Sequence, residues 1–194
     1  MRPAFFDIDT QIDFLFPAGA LYVPGAECLI PVLSRLNHYA AAHGIPLVSS
    51  ACSHTEDDPE FREWPPHCVA GTVGQSKPLE TLLEKRAVIG VAAGEYSIAG
   101  AQQILFEKNR LDITTSPNFQ PLVARFAADS YVVYGVVTEY CVRFAALALL
   151  RTGNPVSLVT DAIASLRADD SRKTLNEFTA SGGRLTTVSE LCAR

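Results

Sequence analysis

Apolar and polar positions along this chain follow two rhythms. Pro3 to Ile8 is a nearly continuous apolar run ending among acidic residues, the pattern of a strand buried on both faces. After the Pro24-Gly25 turn, Leu29, Val32, Leu33, Leu36 and Ala40 recur at spacings of three and four. That spacing predicts a helix from Ala26 to His43, stopped by Gly44. Ile45 to Ser50 reads as a short strand. Gly71 to Ala101, rich in Gly and Ala, predicts a helical patch around Leu79 to Lys85 and a strand at Ala87 to Val91. Further on, strands are expected at Gln103 to Phe106, Tyr131 to Val137, Val156 to Thr160 and Arg184 to Val188. Helices are expected at Phe119 to Ala127, Glu139 to Arg151 and Ser171 to Ala180, the last two closed by glycines. Apolar strands separated by helices describe an α/β fold, a parallel sheet covered on both faces. No internal repeat or low-complexity linker divides it.

An open parallel sheet puts function at the carboxyl ends of its strands. That rule selects Asp7 and Asp9, the segment Cys52 to His67, Lys108, the segment Thr138 to Cys141, and Asp161. Composition then narrows the partners. The 194 residues, 48% hydrophobic and 19% charged, suit one packed domain. A net charge of −5 argues against electrostatic binding to nucleic acid or an anionic membrane. No apolar run nears the ~20 residues a bilayer needs, and Met1-Arg2-Pro3 leads toward Asp7 without a signal-peptide core. Five cysteines, an odd number at irregular spacing, do not form a disulfide framework. The expectation is a cytoplasmic protein with free thiols.

Cys141 is the sharpest feature. It follows an apolar strand and opens a helix whose apolar face is Val142, Ala145, Ala146, Leu149 and Leu150. A thiol in a first helical turn meets unsatisfied N–H groups and the positive end of the dipole, which favour a thiolate. The other reading is a buried structural cysteine, common for this residue type. A nucleophilic cysteine needs a proton acceptor, and no histidine lies at a strand end near it in sequence. A carboxylate after the first strand, Asp9, can serve as base, and Lys108 can hold carboxylate and thiolate together. Asp7, two residues before Asp9 and on the same strand face, either raises one pKa of an acidic pair or is itself paired.

Three ordered motifs add a resemblance. Asp9-Thr-Gln-Ile-Asp-Phe14 with Pro17-Ala-Gly-Ala-Leu21, then Trp64-Pro-Pro-His-Cys-Val-Ala-Gly-Thr72, then Gly135-Val-Val-Thr-Glu-Tyr-Cys-Val142 resemble the signatures of the isochorismatase-like cysteine hydrolases, which include the nicotinamidases. The resemblance implies a three-layer Rossmann-like α/β fold with about six parallel strands. Residues 1–194 would form one domain, with a small lid or insertion within about 52–101. It also implies an Asp9–Lys108–Cys141 triad and a cis peptide at Val136–Val137, with the Val137 and Cys141 amides facing an oxyanion. Phe14, Trp64 and Phe119 fall at the family's aromatic pocket positions; core packing is their other reading.

The family's metal ligands would fall on Cys52, where a carboxylate is expected, and on His54 and His67. A Cys-His-His set suits zinc or another divalent ion, while the alternative is two histidines hydrogen-bonding a pocket wall. Glu56-Asp57-Asp58 reads as a solvated acidic turn. What the resemblance implies is a homo-oligomeric amidase acting on a small amide such as nicotinamide through a thioester. Ureido, carbamoyl or maleamate-type substrates, or a non-catalytic scaffold, are the alternatives. A remoter reading takes Asp7-Ile-Asp9-Thr10 as the start of a haloacid-dehalogenase-like phosphatase, which leaves the Cys141 loop unexplained.

Overall fold

The computed structural model describes residues 2–193. Its centre is one parallel sheet of seven strands: β1 (Pro3–Ile8), β2 (Leu47–Cys52), β3 (Arg86–Ile89), β4 (Gln103–Lys108), β5 (Ser130–Gly135), β6 (Val156–Ile163) and β7 (Arg184–Thr186). Their spatial order is β3-β4-β2-β1-β5-β6-β7. The sheet thus has one strand more than the six the resemblance implied. The seven correspond to the seven apolar runs of the sequence, including the edge strand β3 expected at Ala87 to Val91, where Val88 stays exposed and only Ile89 is buried.

Helices α1 (Ile12–Leu15), α2 (Ile30–Ala42), α3 (Phe119–Phe126), α4 (Arg143–Leu150), α5 (Ala168–Ala180) and α6 (Val188–Cys192) complete the molecule. Side-chain alternation on the central strands divides the interior. Ala4, Phe6, Ile8, Tyr131 and Val133 pack against α3, α4 and α5. Phe5, Leu47, Val132 and Tyr134 pack against α2 and α6. On α2, Leu33, Leu36 and Ala40 are buried, each large side chain contributing roughly 1.5–3 kcal/mol by leaving water. The expected helix from Ala26 is a 3-10 turn over Ala26–Leu29 before α2 begins.

The expected helical patch from Leu79 reduces to a single 3-10 turn, Leu79–Thr81, with Leu79 exposed. The backbone there is satisfied by side chains from elsewhere: Asn37 donates to Thr81 O (2.8 Å) and Leu83 N donates to Gln103 Oε1 (2.9 Å). β1 lies between β2 and β5, so the chain leaves the sheet in opposite directions on its two sides. A crevice forms beyond the carboxyl ends at such a switch point.

Candidate active site

Strand register assembles the polar centre. Cys52 and Lys108 are direct partners at the ends of β2 and β4, and partners on adjacent parallel strands point the same way, about 4.8 Å apart. Asp9 follows β1 with φ +49°, a left-handed conformation uncommon for a residue other than glycine. This turn breaks the strand alternation, so Asp7 and Asp9 do not share a site. Asp7 lies on the α2 side, paired with Lys77 at 3.3 Å and accepting from Thr10 Oγ1 at 2.6 Å.

The first motif holds the strand ends in place. Gln11 Nε2 donates to Cys52 O (2.8 Å) and Gln75 O (2.7 Å), while Cys52 N donates to Gln11 Oε1 (2.7 Å). Asp13 accepts from Cys68 N (2.6 Å) and Ala20 N (3.0 Å). Ser50 Oγ donates to Asp9 Oδ1 at 2.6 Å, leaving Oδ2 to form an ion pair with Lys108 Nζ at 2.7 Å.

Past β5 the chain must turn against β1. Gly135 has φ +117°, and a Cβ there would collide with the Ile8 backbone, so glycine is required. The Val136–Val137 peptide is cis. Thr138–Val142 then forms a π-helical turn, not the regular α-turn expected, and α4 continues from it. Glu139 Oε1 accepts from Leu166 N (2.9 Å) and Arg167 N (3.1 Å), tying this turn to the loop after β6. Cys141, buried, reaches Lys108 Nζ at 3.6 Å.

Two thiols therefore meet one ammonium, because Cys52 Sγ also lies 3.3 Å from Lys108 Nζ. They behave as a pair. Interaction with Cys141 lowers the Cys52 thiol, and interaction with Cys52 together with burial raises Cys141. Burial, then the nearby Cys52 sulfur, raises the Asp9 carboxyl above its ordinary value, although Lys108 and Ser50 oppose this. Burial works against the Lys108 ammonium, but Asp9 and the two sulfurs overcome it and raise that pKa.

Beside the thiols, ligating atoms of Cys52, His54 and His67 lie within 4.8 Å of one another. His54 Nδ1 bonds Asp58 Oδ2 (3.1 Å) and His67 Nδ1 bonds Pro65 O (2.8 Å), so both Nε2 atoms face inward. His54 Nε2 is buried with no hydrogen-bond partner. An orphaned ring nitrogen, a second inward imidazole and a thiol fit a zinc-class ion. Asp58 is thus not a solvated turn residue: it is buried, bonds His54, and accepts from Glu60 N (3.0 Å) at the start of a 3-10 turn. Asp-Pro-Glu, a capping residue followed by proline, was the available signal. Glu60, which sequence reasoning missed, brings Oε1 to 4.0 Å from His54 Nε2 and 3.9 Å from His67 Nε2. Ser50 and Gln11 were likewise missed, their side chains having no sequence signature of direction.

These groups open on a narrow cavity of about 30 Å³ lined by Asp9, Cys52, Cys141, Glu60 and His67 among apolar walls. Phe14 and Trp64 line it, with Tyr140 edge-on to Trp64 at 5.3 Å. Phe119 does not: it is buried in the α3 core against Phe106. Asp161 is also remote, accepting from Val188 N at the start of α6 (2.9 Å). The cavity has room for a water or two, far below the roughly 300 Å³ of usual ligand sites, so a ring must displace side chains to enter.

The Isochorismatase domain model matches residues 94–190 of this sequence, half its length. Nicotinamidase of Escherichia coli (strain K12) is 26% identical over 205 residues, covering 94% of this chain and 93% of that protein. An isochorismatase-like hydrolase from Alkaliphilus metalliredigens superposes with a TM-score of 0.82 at 24% identity, covering 98% of this chain and 97% of that one. The pyrazinamidase of Pyrococcus horikoshii, crystallised in complex with zinc, gives 0.79 at 25% identity over 96% of this chain and 99% of its own. The chain belongs to the isochorismatase family. It is a hydrolase acting on amide C–N bonds, which overturns the phosphatase reading. Among the described residues no helix is long and apolar enough to cross a membrane.

Proposed function

We propose that the protein is a cysteine amidohydrolase for a small, uncharged, flat-ring amide of the nicotinamide kind, working through a thioester. The observation that carries this is Lys108 Nζ within 2.7 Å of Asp9 and 3.6 Å of Cys141, with Asp9 and Cys141 themselves lining an apolar, aromatic-walled cavity. Asp9 accepts the Cys141 proton, and the sulfur attacks the carbonyl carbon. Negative charge on the carbonyl oxygen falls to the Val137 and Cys141 N–H groups. When the C–N bond breaks, Asp9 returns its proton to the departing ammonia. It then takes one from the water that attacks the thioester, releasing the acid and restoring the thiol. Lys108 balances the charge that alternates between carboxylate and sulfur.

Cys52, His54 and His67 would hold a zinc-class ion, with Glu60 beside them, and such an ion supplies a Lewis-acid position for a ring nitrogen or a water. The lining favours neutral substrates. It contains no arginine or lysine, so a carboxylate-bearing carbamoyl or maleamate-type substrate finds no counter-ion on the walls. The test is ammonia release from a panel of nicotinamide, pyrazinamide, a carbamoyl amino acid and maleamate, with and without added zinc, on wild type and Cys141→Ala. Turnover of the two ring amides by wild type and none by the variant, which keeps its melting temperature, is the expected result. Preference for the carboxylate substrates, or activity retained in Cys141→Ala, would overturn the reading.

A further inference from the structure

The mechanism uses one thiol, yet two stand at the lysine. Cys52 Sγ and Cys141 Sγ lie 3.3 and 3.6 Å from the same Lys108 Nζ and line one cavity. Cys52 Sγ also sits 3.7 Å from Asp9 Oδ2. Metal ligation accounts for Cys52 facing His54 and His67, but not for its place beside Cys141 at one lysine. The remaining cysteines are elsewhere: Cys28 is exposed, Cys192 lies in α6, and Cys68 turns its thiol to Gly74 O.

We propose that Cys52 and Cys141 form a reversible oxidation site, in which a peroxide oxidises Cys141 and Cys52 captures it as a disulfide. This rests on the nucleophilic role of Cys141 in the proposed function, but requires no amide substrate. The Cys141 sulfur attacks one oxygen of hydrogen peroxide. An S–O bond forms, the O–O bond breaks, and the departing hydroxide leaves as water with the thiol proton. Sulfur is oxidised by two electrons and the peroxide is reduced. The Cys52 sulfur then attacks the Cys141 sulfur; an S–S bond forms, the S–O bond breaks, and the hydroxyl leaves as a second water with the Cys52 proton. The ammonium of Lys108, in reach of both sulfurs, stabilises charge at each step. Peroxide, with two oxygen atoms, fits a cavity of about 30 Å³ as it stands. Without Cys52 the sulfenic acid has no thiol beside it and oxidises onward to the irreversible sulfinic acid.

Trypsin separates the five cysteines: Cys52 falls on residues 36–62, Cys68 on 63–85, Cys141 on 126–143, Cys28 on 1–35 and Cys192 on 185–194. Chelator-dialysed protein is treated with hydrogen peroxide, alkylated with N-ethylmaleimide and digested without reductant, and the peptides are weighed. The expected result is peptide 36–62 joined to 126–143 with loss of two hydrogens. Both thiols should disappear from the alkylated pool together and return with dithiothreitol. In Cys52→Ser, Cys141 should accumulate as sulfinic acid that dithiothreitol does not recover. The proposal is overturned if both cysteines remain alkylated, if Cys52 joins peptide 63–85 instead, or if wild-type Cys141 reaches sulfinic acid while Cys52 stays free. Because the readout is a mass, a protein that forms this link but hydrolyses no amide sinks the amidase reading alone.

Discussion

Two aspartates, one on β1 and one just beyond it, each meet a buried lysine, and the groups around the two pairs differ. Asp7 and Lys77 are 3.3 Å apart in a network where every member is bonded. Lys77 donates to Thr10 Oγ1 (2.8 Å), Thr10 to Asp7 (2.6 Å), and Tyr134 to Asn37 Oδ1 (2.7 Å). Burial, with Asp7 nearby, holds the Tyr134 phenol protonated. Asp9 and Lys108 are closer, at 2.7 Å, but their other neighbours include two sulfurs and a cavity. Sulfur is a weak hydrogen-bond partner, easily given up to a substrate. One pair is saturated and fixes the fold; the other is left with groups free to react. On the proposed function, the same charge chemistry serves structure or catalysis according to its third partners.

The largest effect should come from Lys108→Met. We expect kcat/KM to fall about 10³-fold or more, because charge developing at the sulfur and the carbonyl oxygen loses its counter-ion. Stability should change little: Asp9, its pKa already raised by burial, takes up a proton once the lysine is gone. Lys77→Met should do the reverse. Removing one partner of a saturated buried pair costs about 3–5 kcal/mol, a drop of about 10 °C in Tm for a chain of this size, while kcat of the folded fraction stays near wild type. Thermal melts and kinetics on both variants decide it. If Lys108→Met melts as early as Lys77→Met and remains active, the contrast is wrong.

A smaller effect sharpens the reactive side. In the proposed mechanism Asp9 must be ionised to act as base, so activity should be present above its pKa, which burial raises from the ordinary value, and lost as pH falls through it. Ser50→Ala removes a 2.6 Å hydrogen bond to the carboxylate. The acid limb of the kcat/KM profile should move to higher pH, with kcat down about tenfold at its plateau. An unmoved limb would make Ser50 a packing residue only.

The difference between the two pairs was only half legible in the sequence. Asp9, Lys108 and Cys141 could be selected because strand ends follow from apolar runs, and the register of parallel strands then brings those ends together. The partner of Asp7 could not, since Lys77 lies 70 residues away in a loop with no periodicity. Asp58 looked like a solvated acid because charge predicts exposure until a histidine and a helical turn claim its oxygens. The left-handed turn at Asp9, which separates it from Asp7, leaves no mark at all in a residue type that usually avoids it.

Phe119 gives the smallest and most pointed test, because phenylalanine has the same composition signal on a pocket wall as in a core. The two positions differ in what a shorter side chain disturbs. Phe119 stands edge-on to Phe106, at a centroid distance of 6.3 Å, among Leu122, Val123 and Ile113. Phe119→Leu should therefore lose about 1 kcal/mol of stability through imperfect repacking and leave KM for a ring amide within about twofold of wild type. Trp64 supplies the internal control, since its ring faces the cavity beside Tyr140, and its truncation to alanine should raise KM while scarcely changing Tm. If Phe119→Leu instead raised KM as Trp64→Ala does, the substrate would have to open the molecule toward α3, and the apolar walls would need to be redrawn on the other side of the sheet.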